Sequence, residues 1–201
     1  KGDIITASKV LLAPGRDGAT WLDAIFKKHG LDLYNNQVDI GVRVETSNIV
    51  MDEINKNLYE GKFIYNTSVG TRVRTFCSNP SGHVVIENHE GTMMANGHAY
   101  HDPKLGSDNT NFALLVSKNF TKPFKEPIQY GKHIAQLSNM LCDGKILVQR
   151  FGDFVRGRRT TEERLIRNNI TPTLKDAVPG DLSLVFPYRI MKDIEEMIYA
   201  L

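Results

Sequence analysis

The stretch NGHAYHDP sets His98 and His101 three residues apart, with Asp102 adjacent. An HxxH pair on a loop ligates a metal when a third ligand arrives from elsewhere. No cysteine or further histidine lies at a ligand-like spacing, so ordinary surface or hydrogen-bonded histidines are the preferred reading. His83 and His89 sit six residues apart in a β-like segment. A strand would put them on one face but too far apart to share an ion. Cys77 lies in TFCSNPSGH, where a β segment enters a turn. A thiol there is a redox centre or nucleophile only if nearby positive charge favours the thiolate. Arg72 and Arg74 share the opposite strand face, so the preferred reading of Cys77 is a small half-buried hydrophobe.

The strongest electrostatic feature is QRFGDFVRGRRTTEER, with Arg150, Arg156, Arg158, Arg159 and Arg164 crowded between residues 150 and 164. Phe151 and Phe154 are interleaved. Guanidinium forks suit carboxylates and phosphates, and aromatic rings can stack on bases. Asp153, Glu162 and Glu163 offset the charge, so an internally paired or solvated surface is favoured over a nucleic-acid or protein interaction module. If the segment binds anything, a carboxylate substrate or a cofactor phosphate fits it better than nucleic acid. No GxSxG, GxGxxG or GxxxxGK[ST] occurs. A dinucleotide or triphosphate site built by this chain alone is therefore not expected.

These groups must be held by a mixed set of elements. The opening KGDIITASKVLLAPGR reads as extended, with Ile4, Ile5, Val10, Leu11 and Leu12 as β-formers and Gly2-Asp3 able to turn a hairpin. ATWLDAIFKKHG carries an apolar stripe of Trp21, Leu22, Ile25 and Phe26 and ends at Gly30, a helix with its C-cap. VDIGVRVE alternates as a half-buried strand does, and IVMDEINKNLY is a short helix. From Lys62 to Ser117, β segments alternate with Gly, Pro, Asn and Asp clusters, which predicts an antiparallel sheet or partial barrel. PIQYGKHIAQLSNMLC is predicted helical on a stripe of Ile134, Leu137 and Leu141. RTTEERLIRNN is a polar helix capped by Thr160 or Thr161. The proline-punctuated PTLKDAVPGDLSLVFP reads as loop or irregular strand. RIMKDIEEMIYAL is a closing helix with Ile190, Ile194, Met197 and Leu201 at helical spacing.

The 201 residues carry a net charge of +2, with 41% hydrophobic and 24% charged residues. That is room for one well-packed α+β domain and excludes a strongly basic nucleic-acid binder. No apolar run is long enough to suggest a membrane span, and no signal peptide is visible. Two cysteines without a disulfide framework point to the cytoplasm. The start at Lys1 and the uncapped final helix read as the ends of a segment of a longer protein.

Taken in order, LLAPGRDGATWL, VDIGVRVE, RTFCSNPSGHVV, NGHAYHDPKLGSDNTNFALLVS, QRFGDFVRGRR and TPTLKDAVPGDLSLVFPYR resemble the FAD-dependent dehydrogenases of bacteria. These large two-dinucleotide-fold flavoproteins are also described as NAD/FAD-utilizing dehydrogenases. The resemblance implies that residues 1–18 are a stub of the FAD-binding domain. Its exit turn, Ala13-Pro14-Gly15-Arg16, would lie at the cofactor. Residues 19–201 would be the central substrate or insert domain, covering the flavin. The parent would use FAD, with NAD(P)H as a hydride partner. This chain alone would bind no cofactor and be inactive. Its expected partners are the rest of the parent chain and a small-molecule substrate. The implied polar wall comprises Asn96, Asn109, Asn111, Arg150, Arg156 and Arg158, with His98 as proton donor. Two departures stand out. Relatives carry Phe-Cys-x-Cys-Pro-Gly-Gly, where this chain has Cys77 alone. They also carry Asn-Gly-Met-Ser, where this chain has Asn96-Gly97-His98-Ala99.

Overall fold

The computed structural model describes residues 2–15, 18–34 and 36–201, so the expected contact residue Arg16 lies outside the described residues. The chain divides into two compact units, residues 1–34 and 35–201.

In the first unit, helix α1 (Ala19–Lys28) forms as predicted. Gly30 adopts φ +64°. Its N–H donates to the Lys27 carbonyl, and the Leu31 N–H donates to the Phe26 carbonyl. This pair of bonds satisfies carbonyls the helix end would orphan, and the left-handed residue they need is a glycine. The expected strand and hairpin before it do not form. Residues 2–14 have no strand, and Leu11 is 91% exposed. Branched side chains favour β structure only where a pleated surface and a partner ladder receive them. Here Ile4, Ile5 and Val10 meet neither and stay exposed. Ala13 to Gly15 are exposed as well, and Gly15 turns the chain at φ +70°.

The second unit is α+β, as expected, and its sheets do not close into a barrel. Strands β1 (Val38–Ser47), β2 (Ile64–Asn66), β3 (Arg72–Asn79) and β6 (Asn109–Lys118) form an antiparallel sheet in the order β1-β6-β3-β2. The hairpin of β4 (His83–His89) and β5 (Thr92–His98) is separate. Helix α2 (Asn48–Asn57) follows β1, and α3 (Pro127–Leu141) follows β6. Strand β7 (Leu147–Val148) pairs in parallel with β8 (Val178–Pro179), and the short helices α4 (Phe151–Val155) and α5 (Glu162–Ile166) lie between them in sequence. Helix α6 (Tyr188–Ala200) ends the unit. Among the described residues no helix is long and apolar enough to cross a membrane.

The β1–β6 ladder runs in unbroken register from Val38 opposite Lys118 to Ser47 opposite Asn109. Because side chains alternate, Ile40, Val42 and Val44 share one face with Phe112, Leu114 and Val116. That face, with Val73 of β3, packs against Ile190, Ile194 and Met197 of α6 and Ile134 of α3. Two predicted inner positions differ. Leu141 and Leu201 are exposed, while α3 turns Asn139 inward and Cys142 is buried just beyond it. The Asn139 amide donates to the Met93 and Lys145 carbonyls and accepts from the Met93 N–H, pinning α3 to β5. On α6 the unpredicted inward residue is Asp193, which is fully buried. It accepts from Lys118 Nζ at 2.8 Å and Thr67 Oγ1 at 2.9 Å, closing the end of the apolar face.

Removing one member of such a pair leaves the other charge buried and unpaired. Asp193→Ala is therefore expected to cost about 3–5 kcal/mol in a denaturant titration. A loss below about 1 kcal/mol would show that water already screens the pair.

Candidate functional site

The opposite face of the β1–β6 ladder is polar. Asp39, Arg43 and Glu45 alternate along β1, and Asn109, Asn111 and Ser117 along β6. Asn111 is fully buried. Its Oδ1 accepts from Arg43 Nε at 2.8 Å and from Nη2 at 2.5 Å. The same Nη2 donates to the Cys77 carbonyl at 2.7 Å. Burial pulls the Arg43 pKa below its ordinary value, opposed by a hydrogen bond and charge interaction with Cys77 and by the charge of Glu45. The hairpin seats on this pair through glycine. A Cβ on Gly97 would lie 1.9 Å from Arg43 Nη2 and 2.1 Å from Asn111 Oδ1. Asn111 Nδ2 has no hydrogen-bond partner among the described residues and would lie 2.9 Å from a Cβ on Gly82.

Cys77 occupies a bulge where the β3–β6 register shifts, at φ +51°. Glu60 accepts its N–H at 2.9 Å, and the Asn79 amide lies 3.6 Å from its sulfur. Sequence spacing considered only Arg72 and Arg74, and the guanidinium beside Cys77 is Arg43 from another strand. That guanidinium donates to the Cys77 backbone carbonyl, and the thiol itself is half-buried. Arg74 instead pairs with Asp39 at 2.8 Å and lies over the Phe76 ring.

Beside this cluster is a cavity of about 350 Å³. His83, Ser107, Asp108 and Asn109 line it from the ends of β4 and β6. Asn169, Thr171, Thr173 and Lys175 line it from the segment after α5. Glu45 anchors this wall by accepting from Thr173 Oγ1 at 2.6 Å and Asn109 Nδ2 at 3.3 Å. Asn109 Nδ2 also donates to the Thr171 carbonyl, and Thr173 Oγ1 accepts the Val84 N–H. His83 Nε2 donates to the Leu105 carbonyl at 2.9 Å, which leaves Nδ1 an acceptor in the neutral ring.

The expected polar wall is therefore divided. Asn109 lines the cavity, and Asn111 lies behind it on the same strand face. Asn96 faces Glu87, to which its amide donates. His98 is exposed at the end of β5 and is not among the cavity's lining residues; its register partner His83 is. His101 and Asp102 gain no third ligand, since no group of three metal-ligating side chains occurs among the described residues.

The arginine segment is an internal knot. Asp153, buried in α4, accepts from Arg158 Nε at 2.6 Å and Thr160 Oγ1 at 2.9 Å. Arg150 Nη1 lies 3.8 Å from the same carboxylate, and Arg150 Nε donates to Asn168 Oδ1 at 3.1 Å. Arg156 is exposed and reaches only the Gly152 carbonyl, at 3.5 Å. Arg150 thus steadies the segment leading into the cavity wall. Burial pushes the Asp153 pKa up, but the bonds from Arg158 and Thr160 and the charges of Arg158 and Arg150 outweigh it and hold it below the usual range.

Three outcomes follow from these contacts. Gly97→Ala is expected to lower stability by about 2 kcal/mol or more in thermal melts, because Arg43 and Asn111 cannot both yield; an unchanged melt would contradict the seating described. Cys77 is expected to alkylate at least about tenfold faster than Cys142 in the native protein, read by peptide mass mapping. Cys142 is only 4% exposed, and burial raises its pKa. The third concerns acid. A carboxylate depressed by folding contributes stability that is complete above its unfolded value of about 3.9 and lost as pH falls through the folded one. Below about pH 4 the native protein should lose stability more steeply than Asp153→Asn, and parallel acid curves would contradict the knot.

The family model described as "FAD-dependent protein, C-terminal domain-like" matches residues 37–201, nearly the whole of the second unit. A search of curated proteins gives no match. The match covers well over half of the chain, and the chain belongs to the FAD-dependent protein, C-terminal domain-like family.

Proposed function

We propose that residues 35–201 form the substrate-binding domain of an FAD-dependent oxidoreductase of the dehydrogenase type, with the polar cavity as its substrate site. The observation that supports this reading is the cavity of about 350 Å³. Its inner groups are saturated by Glu45, while its outer side chains remain available to a ligand. Sites of this kind fix a small molecule with a few convergent polar groups. Asn109 and Thr171 would orient the substrate. His83, rather than His98, would handle the proton, because it lines the cavity, and with Nε2–H bonded to the Leu105 carbonyl its Nδ1 would act as the acceptor.

FAD is the cofactor of the family, but the residues present do not fit its nucleotide. The sequence has no GxGxxG. The parallel pair β7–β8 has only two residues in each strand, and no β-α-β phosphate cradle occurs among the described residues. In this reading FAD is held by another part of the parent chain, the main partner of this domain. The exposed turn at Ala13 to Gly15 would approach the nucleotide. NAD(P)H would be the hydride partner, and the setting would be cytoplasmic.

The test fills the cavity from an exposed wall position in the FAD-loaded parent protein. Thr171→Trp is expected to leave flavin content unchanged and to slow anaerobic bleaching of the flavin by substrate at least about tenfold, since substrate access is lost. Unchanged bleaching would overturn the cavity as the substrate site.

A further inference from the structure

We propose that the cavity binds a zwitterion, a small molecule carrying a carboxylate and an ammonium group as an α-amino acid does. The proposal deepens the substrate-site reading and rests on it. Its basis is a pair of opposite charges that line one cavity without meeting. Asp108 and Lys175 are both lining residues, and no ion pair joins them among the described residues. The Asp108 carboxylate accepts no hydrogen bond among the described residues; its backbone carbonyl alone is used, by the Asn48 N–H. Lys175 Nζ has one long contact, 3.4 Å, to the Pro172 carbonyl.

Elsewhere on this unit several opposite charges are paired. Arg74 meets Asp39, Lys118 meets Asp193, Arg158 meets Asp153, and Lys132 meets Glu90. Asp108 and Lys175, by contrast, line one recess as an opposite pair that no ion pair joins among the described residues. A monoanion would satisfy Lys175 and be repelled by Asp108, and a monocation would meet the converse. A neutral polyol would leave both charges without a counter-charge. A ligand bearing both charges satisfies both walls at once.

The neutral groups suit the same ligand. The Thr171 hydroxyl and the Asn169 amide can bond to carboxylate oxygens or ammonium hydrogens, and Asn109, whose amide N–H groups go to Glu45 and Thr171, could offer only its Oδ1 as an acceptor. His83 is a lining residue whose Nε2 is engaged by the Leu105 carbonyl, so in the neutral ring its Nδ1 is an acceptor. Glu45 does not compete for the ammonium, because Thr173 and Asn109 already occupy it. No Phe, Tyr or Trp is among the cavity's lining residues, so charge and hydrogen bonding would dominate its selectivity.

The experiment uses the isotope-labelled 201-residue chain and three probes of similar size: L-serine, which carries both charges, L-serinamide, which keeps only the ammonium, and L-glycerate, which keeps only the carboxylate. L-Serine is expected to shift the backbone amides of residues 107–109 and 171–175 and to saturate, with the other two binding at least about tenfold more weakly. Asp108→Asn and Lys175→Met, both at exposed positions, are each expected to weaken L-serine about tenfold while the rest of the spectrum stays unchanged. Absence of shifts with L-serine, equal binding of the three probes, or variants that bind as the native chain does would each overturn the proposal. No flavin takes part in this measurement. Its failure therefore leaves the oxidoreductase reading to the cavity-filling test, and flavin bleaching that ignores Thr171→Trp sinks that reading without touching the binding result.

Discussion

The hydrogen bond between Arg43 and Asn111 is the constraint on which the rest of the second unit depends. A two-faced sheet normally packs one face and leaves the other to water. Here the β1–β6 ladder packs its apolar face on α6, and the β4–β5 hairpin is laid over part of the polar one. A guanidinium can be covered in that way only if its donors are used, because an unpaired buried charge costs far more than a packed contact returns. Asn111 and the Cys77 carbonyl use them. The bulge at Cys77 turns its carbonyl toward Arg43, and the missing side chain at Gly97 lets the hairpin come close to the half-buried guanidinium. Each of these features requires the others.

The next residues along the same strands show how that packing yields a recess. Glu45 follows Arg43 on the polar face, and Asn109 precedes Asn111. Glu45 is turned not toward the hairpin but to the segment after α5, where Thr173 and Asn109 satisfy it. The wall is therefore fixed from behind by a carboxylate, while Asp108 and Lys175 at its rim are tied to nothing so firmly. The boundary between saturated and unsaturated groups is the edge of the cavity. Preorganisation of this kind allows a polar ligand to bind without the site first rearranging.

The alternation in VDIGVRVE and the apolar spacing of the last helix made much of the fold legible, because period-two and period-3.6 patterns are local properties of the chain. The first strand failed for the converse reason. Ile4 to Leu12 have the right composition but no ladder to join. The site was less legible still. Arg43 lies 34 residues from Cys77 in sequence, and Glu45 lies 128 from Thr173. No spacing rule reaches across such separations. One signal was present: Arg43 and Glu45 are charged residues inside a strand otherwise rich in valine, and charges placed there need partners if they are covered.

The arginine-rich segment shows why charge counting along a sequence misjudges function. Five arginines in a short stretch look like a binding surface, yet a single buried carboxylate, Asp153, organises two of them and Thr160. Asp108 and Lys175, which no charge run announces, line one recess without an ion pair between them. An arginine whose donors are spent on its own fold has little left for a ligand. A lysine and an aspartate exposed at the rim of a recess are met mainly by water, and a ligand that carries both opposite charges can replace that water on both sides at once.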